Sequence, residues 1–299
     1  MLVKLKQIIL IALYNFKGWR KNIQVIMAFL LTFTICYILS DKVVKFSCQQ
    51  ESTIQFLEPF IWTFGDSSSI FIISLPLIIL LSDAPRFNQH TPYVLHRTTK
   101  GVWMLGQILY GVVTTFIYQI FVFLSTCILA GYRGYSSNMW SKTAAILAYS
   151  KFGEHIAVPA YVKVLERTFP YQCSVDIFLL MLGYSMVLSS VLFLFNINGK
   201  NRGIVAGIIY SVAGYVLKPD FIQKWMGLKK FEINKAYSIC GWISPLSHGT
   251  YVNHNFGYDK LPKIYQSYMF FAVLSIMIYL IALRRIKKRE VTMWKNKSL

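Results

Sequence analysis

Charge is scarce in this chain, and acidic charge is scarcest. Only 14% of its 299 residues are Asp, Glu, Lys or Arg, with 12 acidic against 31 basic. Soluble domains carry about 25% charged residues. With 55% apolar residues and a mean hydropathy of +0.48, the shortfall excludes a disordered chain and argues against a water-soluble globule. Catalytic signatures are missing as well. The histidines, His90, His96, His155, His248 and His254, show no HExxH spacing, and no serine sits in GxSxG. Gly199-Lys200-Asn201 lacks the hydroxyl residue and the upstream glycine of a phosphate-binding loop. Any ATP that drives this protein is hydrolysed by another chain. Cysteine is sparse and scattered, at 36, 48, 127, 173 and 240. A disulfide between two of Cys48, Cys173 and Cys240 is one reading; thiols acting as small apolar groups are the default.

What the chain does contain is long apolar runs. A helix crosses the hydrocarbon core with about 20 apolar residues. Six runs qualify, at about 23–40, 68–82, 102–130, 175–196, 203–217 and 268–283. The second and fifth are short and can continue as half-helices; the second reaches back to Ile54 if a break at Gly65-Asp66 is allowed. With the amino terminus inside, the inner segments 1–21, 83–102, 197–203 and 284–299 hold 17 basic and two acidic residues, a net of +15. The outer loops 41–67, 131–175 and 218–265, with Asp176 at the mouth of the fourth run, hold 14 basic and ten acidic, a net of +4. That is the positive-inside pattern, with both termini cytoplasmic. The tail from Arg284 reads as an anchor on anionic lipid, worth about 1 kcal/mol per basic residue, rather than as a nucleic-acid site.

The first 21 residues resemble neither a signal peptide nor a full span. Leu5, Ile8, Ile9, Ala12, Phe16 and Trp19 form one apolar arc at helical spacing, and Lys4, Lys6, Gln7, Asn15, Lys17, Arg20 and Lys21 fall elsewhere. This predicts an amphipathic helix lying on the cytoplasmic membrane surface. The expected fold is therefore an all-α membrane protein: an interfacial helix over 1–21, six transmembrane helices within 22–283, and a basic tail over 284–299.

No Asp, Glu, Lys, Arg or His sits firmly inside the six runs, which argues against a carrier driven by a buried proton relay. The internal polar residues are mostly Ser and Thr, suited to helix-to-helix hydrogen bonds. In the third run Gln107, Thr114, Tyr118 and Ser125 share roughly one face and are the candidate substrate path. His248 and His254, with Asp259 nearby, read as solvated loop residues rather than a metal site.

The inner loop 83–102 mixes Arg86, Arg97 and Lys100 with Phe87, Tyr93, Leu95 and Trp103. It suits either a connector or a surface that a soluble partner pushes. The run Leu95-His96-Arg97-Thr98-Thr99-Lys100-Gly101-Val102-Trp103 enters the third span, Asn196 to Gly203 makes a tight inner turn, and Ile243-Ser244-Pro245-Leu246 precedes the last span. With the six-span order, these residues resemble permease subunits of the type-2 export class of ABC transporters, as found in Gram-positive bacteria. The resemblance implies a bacterial plasma-membrane protein, paired with a second permease subunit, alike or homologous, above two separate ATPase subunits. ATP and Mg2+ belong to those partners, and this chain holds no cofactor and is not an enzyme. The amino-terminal helix and the loop 83–102 would transmit ATPase closure, with Arg86, Arg97 and Lys100 as coupling residues, and the segment before the last span would form short re-entrant helices. A peptide, antibiotic or other amphipathic cargo fits the apolar, aromatic walls. The outer segment 131–175, with Trp140, Tyr149, Phe152 and Tyr161, is long for that family and reads as a cap. An immunity or sensor protein that binds a toxin through its outer loops is the competing expectation.

Overall fold

In lipid, a chain segment must satisfy its own backbone hydrogen bonds, so long apolar runs fold as helices. The computed structural model describes residues 2–87, 91–129, 131, 134–150, 162–199, 201–227, 229, 232–257 and 259–288. Helix dominates it: α1 Leu2–Lys17, α2 Ile23–Gln49, α3 Glu58–Phe64, α4 Ser67–Leu80, α5 Thr91–Arg97, α6 Lys100–Leu129, α7 Lys142–Tyr149, α8 Val162–Arg167, α9 Pro170–Asn196, α10 Arg202–Val216, α11 Pro219–Trp225, α12 Ile233–Ile243, α13 Pro245–Gly249 and α14 Ile264–Lys288. The described sheet is one pair of two-residue strands, β1 Ile54–Gln55 parallel to β2 Gly134–Tyr135. This is an all-α membrane fold.

Four described helices, α2, α6, α9 and α14, are long and apolar enough to cross a bilayer. The two short runs each continue through a sharp bend, α3 into α4 at 93° and α10 into α11 at 81°. Local chemistry sets the breaks. Asp66 caps α4 by accepting from Ser68 N at 3.0 Å, and Pro219 opens α11 where its missing N–H costs nothing. Residues 41–49 are not loop: α2 runs through them, helped by the Lys45–Asp41 pair one turn apart at 2.7 Å.

α9 is the axis of the bundle, packed against α3, α4, α6, α10 and α14. Lipid gives no hydrophobic drive for one helix to choose another, so close approach and polar contacts decide. A Cβ on Gly111 would sit 2.6 Å from the Phe193 ring, and one on Gly183 would sit 2.6 Å from Phe271. Those glycines let α6 and α14 seat against α9. In α4, Pro76 cannot bond the Ile72 carbonyl. One residue on, Ile73 O accepts from Tyr118 Oη at 2.6 Å, and the same hydroxyl accepts from Thr32 Oγ1 at 3.2 Å. Tyr118 thus joins α2, α4 and α6.

Both ends of the bundle are tied. At the end assigned by charge to the cytoplasm, here the inner end, Asn196 Nδ2 donates to Ser82 O and Ala84 O at 3.0 and 2.7 Å, and its Oδ1 accepts from Gly203 N at 2.9 Å. At the outer end, Glu58 is fully buried. Its carboxylate accepts from Ser141 N at 2.7 Å and Ser141 Oγ at 2.5 Å. Ser52 and Thr143 hydroxyls meet at 2.6 Å, and Trp140 Nε1 donates to Thr168 O at 2.7 Å. Trp140, Ser141 and Thr143 thereby tie segment 131–175 to α3 and to Ser52. Phe152, His155 and Tyr161 of that segment, like His90, lie outside the described residues.

Candidate functional site

The inner third of α6 carries a buried polar cluster that binds three parts of the chain together. Thr99 starts the helix, its Oγ1 accepting from Val102 N at 3.3 Å. About two turns further, Gln107 Oε1 accepts from Asn15 Nδ2 of α1 at 3.0 Å and from Arg86 N at 3.1 Å. Arg86 Nη1 donates to Asn15 O at 2.9 Å, and its Nε is 3.0 Å from the Asp83 carboxylate. The guanidinium lies over the Tyr110 ring, 5.0 Å from its centroid. Tyr110 Oη accepts from Trp19 Nε1 at 3.0 Å, and Phe16 packs edge-on against the same ring. A buried charge requires such partners, because desolvation is repaid only by good geometry. The consequence is mechanical: α1, the chain after α4, and α6 share one set of bonds.

Arg86, expected on an exposed loop, is only 8% exposed. It is a positioning residue within that cluster, since Asp83, Asn15 and Tyr110 occupy it. Arg97 does lie exposed at the end of α5, and Lys100 is half-buried at the start of α6. Tyr93 beside them is 73% exposed. Trp103 is buried against Phe87, ring centroids 5.0 Å apart. Gln107, Thr114, Tyr118 and Ser125 all fall on the buried side of α6. Gln107 and Tyr118 are spent in bonds between helices.

Asn15 and Glu58 are buried where the sequence pattern places them outside. The apolar arc predicts Asn15 off the packed face of the first helix. It is 4% exposed, beside Ala12, while Leu5, Ile9, Leu10, Leu13 and Tyr14 face outward. A long-range partner, Gln107, turned the helix. Glu58 belongs by sequence to an outer loop; the capping serine of α7, Ser141, holds it inside. Spacing carries no signal for either partner.

A second cluster lies at the outer end. His248 and His254 are not solvated: both are buried and both contact Ser267 of α14. Burial pushes His254 down to about 4 and lowers His248 as well. Asp259 faces Lys163 at 3.8 Å instead. None of the five cysteines forms a disulfide, and Cys36, Cys127, Cys173 and Cys240 are buried.

No model of a known protein family matches the chain, and a search of curated proteins returns no match.

Proposed function

We propose that the chain is the membrane-spanning permease subunit of an ATP-driven exporter. It crosses the bacterial plasma membrane six times, with each bent pair counted as one crossing and both termini cytoplasmic. α1 lies at the cytoplasmic face. Two ATPase subunits supply ATP hydrolysis, and a second permease subunit completes the transport path. The cargo class is a peptide, antibiotic or other amphipathic molecule.

The observation that carries this reading is the bond set joining α1, Arg86 and the inner third of α6. A push on the inner loop reaches α1 and α6 together, because Arg86 and Gln107 hold all three parts. Arg97 and Lys100 stand where a soluble ATPase touches the chain, and Arg86 passes the movement on. Gln107, Thr114, Tyr118 and Ser125 are sealed between helices, so cargo reaches them only in a second packing of the bundle.

Co-purification of the tagged chain from its native membrane in mild detergent tests the reading. A stoichiometric ATP-binding protein is expected in the mass spectrum. Arg97→Glu with Lys100→Glu should abolish cargo-stimulated ATPase while leaving insertion unchanged. A chain that purifies without an ATPase, under conditions that preserve other complexes, overturns the proposal.

A further inference from the structure

Two imidazoles converge on one hydroxyl at the outer end of α14. His248 Nδ1 lies 2.7 Å from Ser267 Oγ, and His254 Nε2 lies 2.8 Å from it. Among the described residues the other nitrogen of each ring faces carbonyl oxygen alone. His248 Nε2 is 3.1 Å from Trp242 O, and His254 Nδ1 is 3.0 and 3.1 Å from Thr250 O and Tyr251 O. Carbonyls only accept, so each of those nitrogens carries its ring's hydrogen. A neutral imidazole has just one. With both rings neutral, two bare nitrogen lone pairs point at Ser267, which has a single hydrogen to give. One of the two short contacts is then lone pair against lone pair, in a site where all three side chains are 2% exposed or less.

One added proton repairs the chain of bonds. The charged ring donates N–H to Ser267 Oγ, and Oγ–H donates to the other ring. A second proton undoes it: both rings then donate, the serine hydrogen loses its acceptor, and two like charges share one hydroxyl. We propose that His248, Ser267 and His254 form a binding site for one proton, shared between α13, the turn after it and α14.

The surroundings set where the proton is taken. Burial opposes the charge on both rings, and Lys163 on α8 opposes it at His254. Asp259, in the loop before α14, faces that ammonium. On α9, Asp176 accepts from Tyr268 of α14 at 2.9 Å, and Cys173 lies beside the Tyr251 hydroxyl. From α12, Cys240 contacts Ser247 next to His248. Phe270 stacks on His248 with centroids 4.4 Å apart. Among the described residues no carboxylate touches the rings, so uptake falls below the ordinary histidine range, near 6.5, and not at neutrality.

The test is ring-nitrogen NMR of the full-length chain, labelled with 15N-histidine, in detergent micelles from pH 8 to pH 4. His248→Phe and His254→Phe assign the signals. One proton should enter the pair in a single step. Ser267→Ala should lower that midpoint by about one unit, a tenfold loss of proton affinity, and Ser267→Thr, which keeps the hydroxyl, should restore it. Should Ser267→Ala fail to fold at pH 8, His248→Phe carries the test. Ser267 then serves His254 alone, and the His254 midpoint must fall below the wild-type step. Two independent titrations, no uptake above pH 4, or a midpoint unmoved in these variants overturns the proposal.

Discussion

Asn196 is the side chain on which three helix ends depend, and removing it should be costly. It is 7% exposed, donates to Ser82 O and Ala84 O, and accepts from Gly203 N, all within 3.0 Å. Asn196→Leu keeps the volume and strands two carbonyls and one N–H. A buried hydrogen bond is worth about 1 kcal/mol net, and a group left without a partner costs about 1–3 kcal/mol. Some of the stranded groups will find water at the inner surface, so the expected loss is about 3–5 kcal/mol. At roughly 2 °C per kcal/mol for a chain of this size, Tm should fall by about 6–10 °C. A thiol-reactive dye reads this directly, because Cys36, Cys127, Cys173 and Cys240 are buried and label only on unfolding. Asn196→Asp should be no milder, since it places a carboxylate oxygen against two carbonyls. A Tm for Asn196→Leu within about 2 °C of wild type would show that these bonds do not hold the helix ends.

Three further outcomes can be read in the same assay. Gly183→Ala forces a methyl to within 2.6 Å of Phe271 and should cost about 1–3 kcal/mol, whereas Gly249→Ala, whose nearest neighbour would be Tyr184 at 3.5 Å, should be nearly silent; equal Tm values would refute the close approach of α9 and α14. Glu58→Ala should lower Tm more than Glu58→Gln, because the amide oxygen can still accept from Ser141; the reverse order would refute the role of an acceptor at this position. His254 is held at about 4, below its ordinary 6.5. Its neutral form therefore favours the fold fully above pH 6.5, and that stability is lost as pH falls toward 4. Tm should drop over that window and drop less in His254→Gln; a flat profile would contradict the burial.

Much of the helix pattern could be read from the sequence, because span length and apolar composition are local properties. The break before Asp66 and the continuation of the fifth run were both legible, since a run too short to cross must bend or extend. Asn15, Glu58 and His248 were not legible. Each is polar by composition and buried only because a partner 92, 83 or 19 residues away meets it. Arg86 falls between the two cases: the sequence places it in the segment between α4 and α6, where it lies, but gives no sign of its burial, because Asp83 and Tyr110 close over it.

The two bent pairs also bear on the lipid around them. α4 has 14 residues and α10 has 15, so each rises only about 21–23 Å at 1.5 Å per residue, against a hydrocarbon core of about 30 Å. They are neighbours, joined where Ser74 and Ser211 hydroxyls meet at 3.2 Å and where Phe71 stacks on Tyr215. Leu75, Ile79, Val205, Ile209 and Val212 on this pair are exposed apolar side chains. The shortfall therefore falls on one sector of the perimeter, and both bends lie toward the same leaflet. Wherever this pair faces lipid, acyl chains beside α4 and α10 shorten or splay to match it.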